Sequence, residues 1–213
     1  MAKVPRRPSQ QRLQKLQPEL KELPVGKRVW RVYFRGGNHP ITWSSFRFVG
    51  PAGGRFDHHV SGHGGQPTRQ ERGILYGASS IETCLAEVFQ KTRRVDRWRS
   101  DPWLVAFDLE AAIVLLDLTG VFATRAGASM GLMSGPRPVG RNWARGFYEA
   151  YPMLHGLYYP SSMHGNAPAV ALNERAELAG AIPHQPAFHR ALGDPAMLTA
   201  LRIAAIKVGY ALD

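Results

Sequence analysis

The chain holds one cysteine, Cys84, in 213 residues, so no internal disulfide can form, and a reducing cytoplasm is the expected setting. No run of about 18 apolar residues occurs, which excludes a membrane-spanning helix. Arg6-Arg7 is a twin-arginine pair with no apolar segment behind it, so a secretion signal is not expected. Four familiar signatures are missing as well: Gly-x-x-x-x-Gly-Lys-Ser/Thr, Gly-x-Gly-x-x-Gly, His-Glu-x-x-His and Cys-x-x-Cys. Their absence removes the usual P-loop, dinucleotide-fold and zinc readings. Acidic residues are scarce, 16 against 27 Lys and Arg.

What is present suits one globular domain. Hydrophobic residues are 44% and charged residues 20%, a balance that supports a core and argues against wholesale disorder. The net charge of +11 suggests polyanion binding, yet residues 1–28 carry eight Lys and Arg against two Glu. More than half of the excess thus falls within residues 1–28, whose Pro- and Gln-rich part is read as a weakly structured basic leader over 1–25, with the ordered domain at 26–213. A second cluster (Lys91, Arg93, Arg94, Arg97, Arg99) follows a predicted helix. A nucleic-acid partner is an open alternative, since charge alone specifies no readout.

Residues 28–34 alternate as a strand with Arg28, Trp30, Val32 and Phe34 on the core face and Arg31 on the other. Residues 50–66 are too rich in glycine for a helix and read as a structured loop. Gly73–Ala78 predicts a strand ending near Tyr76. Ser79-x-x-Glu82 then fits a capping box opening a helix with Ile81, Cys84, Leu85 and Val88 as its buried stripe. Glu87 lies roughly 120° from that stripe at about 100° per residue, on the helix flank. Trp103–Asp108, Ile113–Leu118, Leu157–Pro160 and Ala169–Leu172 predict strands, and Asn142–Ala150 a helix. Residues 120–140 read as loop, and Leu201–Leu212 as a closing strand after a helical turn from Pro195. Strands and helices do not alternate strictly, so the fold class is α+β.

His58, His59 and His63 crowd six positions and invite a metal, but a flexible glycine loop gives adjacent ligands poor geometry, so no metal is expected. Cys84 falls in the apolar helix stripe and reads as a core thiol rather than a nucleophile. Arg31, Arg55, Tyr76, Glu87 and Ser161 remain as isolated polar residues beside aromatic or glycine positions. Singly, each is more often a surface charge, an ion pair or a turn residue. Arg55 and Glu87 could form a structural ion pair.

Their order is informative. Gly53-Gly54-Arg55-Phe56-Asp57, then the run from Leu75 to Phe89 (Leu-Tyr-Gly-Ala-Ser-Ser-Ile-Glu-Thr-Cys-Leu-Ala-Glu-Val-Phe), then Gly156-Leu157-Tyr158-Tyr159-Pro160-Ser161-Ser162 resembles the RES domain, named for its Arg, Glu and Ser. The similarity runs from about Trp30 to about Leu172. It implies Arg55, Glu87 and Ser161 as the family's catalytic residues and Arg31 and Tyr76 as further pocket positions. Met163 stands where related sequences often carry arginine. The resemblance further implies an ADP-ribosyltransferase-like arrangement of mixed sheets with flanking helices. It implies a toxin that consumes NAD⁺ as its substrate, a cognate antitoxin as partner, and a homo- or hetero-oligomer as a possible assembly. Transfer of ADP-ribose to a protein is the alternative activity. An inactive copy acting as a basic nucleic-acid-binding protein is the alternative from another class.

Overall fold

A computed structural model describes residues 6–213. Helix α1 (Gln10–Gln14) and strand β1 (Leu20–Leu23) precede strands β2 (Arg28–Phe34), β3 (Arg47–Gly50) and β4 (Thr68–Ala78). Helix α2 (Ile81–Val88) leads to β5 (Arg94–Val95), β6 (Pro102–Asp108) and β7 (Ile113–Asp117). Short helices α3 (Phe122–Arg125) and α4 (Gly131–Ser134) come before the long α5 (Arg137–Ala150). The chain ends with β8 (Gly156–Pro160), β9 (Pro168–Asn173), α6 (Glu174–Leu178), β10 (Phe188–Ala191), α7 (Leu198–Val208) and β11 (Ala211–Leu212).

A mixed nine-stranded sheet runs in the order β1-β7-β8-β9-β4-β2-β6-β10, with β3 added to β4, and β11 pairs with β5 separately. Only the β7–β8 pairing in the large sheet is parallel. The α+β class with flanking helices is therefore the observed one. Both faces of the sheet are covered. Val32, Leu85, Leu104, Trp143, Phe147 and Leu201 belong to one core, and Val29, Phe107, Leu109, Ile113 and Leu172 to the other. Strands buried on both sides lose clean alternation. Hence the core face expected for residues 28–34 is corrected: Val29, Arg31, Val32 and Tyr33 are buried, while Trp30 and Phe34 are half-buried.

Residues 6–25 also depart from expectation. Met1–Pro5 lie outside the described residues, but residues 9–23 form α1 and β1 rather than a loose leader. A helix of five residues has little stability of its own, and tertiary contacts hold this one. Ser9 caps it, accepting from the Arg12 N–H. Leu13 is fully buried, and the Tyr151 hydroxyl donates to the carbonyls of Leu13 (2.7 Å) and Leu16 (3.1 Å). Strand β1 then pairs antiparallel with β7.

Three local readings shift. The cap of α2 is Ser80, whose side chain accepts from the Thr83 N–H, while Ser79 Oγ donates to the Pro168 carbonyl. The buried positions of α2 are Thr83, Cys84, Leu85 and Ala86, with Val88 exposed. The stretch read as loop over 120–140 contains the short helices α3 and α4 and the start of α5, and Leu198–Val208 is a helix ended by left-handed Gly209, leaving two residues for the closing strand. Ile203 and Ile206 are exposed, so this helix lacks the apolar/polar periodicity that would have marked it.

Candidate functional site

A split in the sheet makes the site. Strands β2 and β4 are registered at one position, Trp30 opposite Ala78. Continued antiparallel pairing would place Val32 opposite Tyr76 and Phe34 opposite Ile74. Instead these four residues line a cleft of about 580 Å³. Strand β3 takes the freed edge of β4, with Arg47 opposite Ile74. The volume lies in the range of small-molecule pockets.

The cleft brings together four of the five residues singled out by sequence: Arg31, Arg55, Tyr76 and Glu87 form its lining. Ser161 is fully buried just behind, and its hydroxyl donates to Glu87 Oε1 at 2.5 Å. The Met163 N–H donates to Ser161 Oγ at 3.2 Å. The turn that carries Ser161 closes through Asn166 N–H to the Ser161 carbonyl, with Asn166 left-handed at φ 63°. Thr83 of α2 reaches the same turn through a 3.0 Å hydrogen bond with His164 Nδ1. Glu87 is thus held on the last turn of α2 by a hydroxyl from the end of β8. It is half-buried, facing the cleft as its flank position foretold.

The arginines are held differently. Arg31 is 7% exposed, Nη2 donates to the Ser45 carbonyl at 3.4 Å, and Nη1 is buried without a hydrogen-bond partner. Burial pulls its guanidinium down to about 10. A buried cation with an open donor is costly unless an anion joins it. Arg55 donates from Nη1 to the Gly135 carbonyl at 2.5 Å, and not to Glu87 as the ion-pair alternative required. Burial, then the neighbouring Arg137, lowers its pKa.

The N-terminal half of α5 clasps the loop that presents Arg55. Arg137 donates to the Gly53 carbonyl (2.9 Å) and Arg141 to the Gly54 carbonyl (3.2 Å). Gly140 lies so close that a Cβ would stand 2.7 Å from the Arg55 carbonyl oxygen. At Gly54 a Cβ would collide with the Asp57 carboxylate and the Tyr76 hydroxyl. Close approach therefore accounts for one glycine of the Gly53-Gly54-Arg55-Phe56-Asp57 block.

Sequence reasoning missed Arg47, Asp57, Arg137 and Tyr159. Asp57 was quoted in that block without a role, and Arg47 sits on a strand that no periodicity revealed. Tyr159 lines the cleft, and burial followed by Glu87 raises its phenol well above the usual range. Cys84 lines the cleft too, with burial pushing its thiol up, so it is protonated rather than nucleophilic. Burial likewise depresses His58 and His59. His58 stacks on Tyr148 at 4.3 Å, and His59 Nε2 contacts the Arg47 carbonyl at 3.2 Å, so both pack the loop. Among the described residues no group of three or more His, Cys, Asp or Glu could hold a metal ion. Of the second basic cluster, Arg94 pairs with Asp213, Arg97 donates to the Leu192 and Gly193 carbonyls, and Lys91 lines the cleft. No helix among the described residues is long and apolar enough to cross a membrane.

The family model for the RES domain matches residues 28–193. No curated protein matches the sequence. Among solved structures, a chain in the crystal structure of the M. tuberculosis MbcT–MbcA toxin–antitoxin complex is similar, with a TM-score of 0.55 and 16% identity over 85% of this chain and 92% of that one. At that identity the likeness is one of fold.

Proposed function

Because the chain belongs to the RES-domain family, we propose that it is an NAD⁺-consuming enzyme that cleaves the nicotinamide–ribose bond and serves as the toxin of a toxin–antitoxin pair. The observation that carries the reading is the Ser161-anchored Glu87 in the wall of a 580 Å³ cleft that also presents Arg31 and Arg55. Residues 26–213 form the catalytic unit in this reading, and the preceding α1 and β1 are added braces on α5 and β7.

Breaking the bond between nicotinamide and the ribose C1′ sends the electron pair to the departing ring nitrogen and leaves cationic, oxocarbenium-like charge on the ribose. Glu87 offsets that charge and accepts from a ribose hydroxyl, and the Ser161 hydroxyl fixes which way its carboxylate faces. Arg31 and Arg55 hold the pyrophosphate, since planar guanidinium donors match phosphate oxygens. The open Nη1 donor of buried Arg31 supports that role. Tyr76 presents a ring against the nicotinamide, with its hydroxyl tied behind it. An acceptor then attacks C1′; water, phosphate and a protein side chain would all use the same charge-stabilising residues.

Unrestrained NAD⁺ cleavage harms its host, so a cognate antitoxin is part of the proposal. The complex that contains the similar fold supports it, and the +11 charge favours an acidic inhibitor. Expression of the chain alone should arrest growth and lower cellular NAD⁺, while Glu87→Ala should do neither. Growth arrest at normal NAD⁺ would defeat the proposal.

A further inference from the structure

Asp57 has no exposed surface, and its three hydrogen-bond partners are all donors. Arg47 Nη2 lies 2.6 Å from Oδ1, the Tyr76 hydroxyl donates to the same oxygen at 2.9 Å, and the Ala52 N–H donates to Oδ2 at 2.7 Å. The Tyr76 oxygen in turn accepts the Phe56 N–H at 3.1 Å. One carboxylate therefore joins three pieces of the cleft: Arg47 on β3, Tyr76 on β4 and the loop from Ala52 to Phe56 that carries Arg55. Strands β3 and β4 pair with each other, and the carboxylate ties that ladder to a loop that shares no strand pairing with it.

A buried carboxylate is tolerated when it is paired and hydrogen-bonded, and here one guanidinium and two neutral donors meet it. The phenol gains as well. Burial, then the Asp57 charge, raises the Tyr76 pKa well above its usual range, so the hydroxyl stays a donor and the side chain cannot swing away without breaking two hydrogen bonds. Gly54 fits the same arrangement, since any side chain there would strike Asp57 and Tyr76 together.

We propose that Asp57 is a positioning residue of the cleft, one whose carboxylate locks the Tyr76 ring, the Arg47 guanidinium and the Arg55 loop into one substrate-ready arrangement. It touches no reacting atom, and its effect on turnover rests on the reading of the cleft as an NAD⁺ site. Pre-set side chains spare the cost of ordering them on binding, so the loss should appear mainly in KM.

The test compares the full chain with Asp57→Asn, Tyr76→Phe and the double variant, by NAD⁺ kinetics and by amide hydrogen exchange at Ala52 and Phe56. Asp57→Asn should raise KM for NAD⁺ about tenfold, the scale of one hydrogen bond to a charged group, and should speed exchange at both amides. Tyr76→Phe should raise KM and speed exchange at Phe56. The double variant should be little worse than Asp57→Asn, because both changes break one network. Fully multiplicative losses, or unchanged KM with exposed amides, would overturn the proposal. If the unaltered chain leaves NAD⁺ intact, the functional reading fails on its own. Exchange then decides the positioning role, and unchanged protection in Asp57→Asn overturns it. Should Asp57→Asn not fold, Tyr76→Phe alone serves: a raised KM with faster Phe56 exchange supports the lock, and no change in either refutes it.

Discussion

Replacing Gly140 by alanine should separate activity from stability. Gly140 is buried inside α5, where glycine-to-alanine exchange favours the helix by about 1 kcal/mol. Against that gain, the new Cβ would lie 2.7 Å from the Arg55 carbonyl oxygen and 2.8 Å from Arg55 Cγ. The first contact is backbone, held by Arg137 and Arg141 through the Gly53 and Gly54 carbonyls, so it cannot yield by a rotamer change. Overpacking of this kind costs about 1–3 kcal/mol. The net destabilisation is therefore about 0–2 kcal/mol, and a chain of this size loses about 2–4 °C in Tm per kcal/mol. Arg55 must move, and a shift near ~1 Å at a positioning group can cost about 100-fold in rate. The expected outcome is a Tm lowered by no more than about 8 °C with kcat/KM for NAD⁺ down about 10- to 100-fold. Gly146→Ala is the matched control on the same helix. Its Cβ would meet the flexible end of the Arg7 side chain rather than backbone, so Tm should hold or rise at full activity. A Gly140→Ala protein that is both more stable and fully active would refute the reasoning.

Other outcomes follow from the same geometry. Ser161→Ala removes the donor to Glu87 and the acceptor for the Met163 N–H; it should lower kcat about 10- to 100-fold, the rate equivalent of about 1.5–3 kcal/mol, with KM within about threefold, as steady-state kinetics would show. Leu13→Ala empties a fully buried position and should cost about 2–5 kcal/mol by denaturant unfolding, whereas a loose leader would register nothing. Burial, then His58 and Arg47, depresses His59 to about 4 from its usual 6.5. The unfolded chain then binds the extra proton first, so stability should fall as pH drops from about 6.5 to about 4. His59→Gln should flatten that limb in pH-dependent melting curves.

How much of this was legible depended on whether the signal was local. Strands over residues 102–108 and 113–117 and the cap region of α2 announced themselves through apolar runs and serine chemistry. Glu87 was placed on a helix flank by spacing alone, and the structure turns that flank to the cleft. Arg55, Ser161 and Tyr76 stood out by their order in the chain, and no periodicity could have shown that Ser161 donates to Glu87 across 74 residues. The leader was misread because α1 is too short to stand unaided and its one buried residue, Leu13, depends on α5 and Tyr151. Arg47 and Asp57 escaped notice because their meaning lies in a partner on another strand. The split between β2 and β4 is a pairing that stops, and a missing ladder leaves no mark in residue order.

The most direct test incubates the purified chain and Glu87→Gln with NAD⁺, with and without phosphate, and follows free nicotinamide. The account predicts nicotinamide release matched by loss of NAD⁺, slowed at least about 100-fold in the folded Glu87→Gln protein. Intact NAD⁺ in the presence of the folded, unaltered chain, or equal rates for the two proteins, would contradict it.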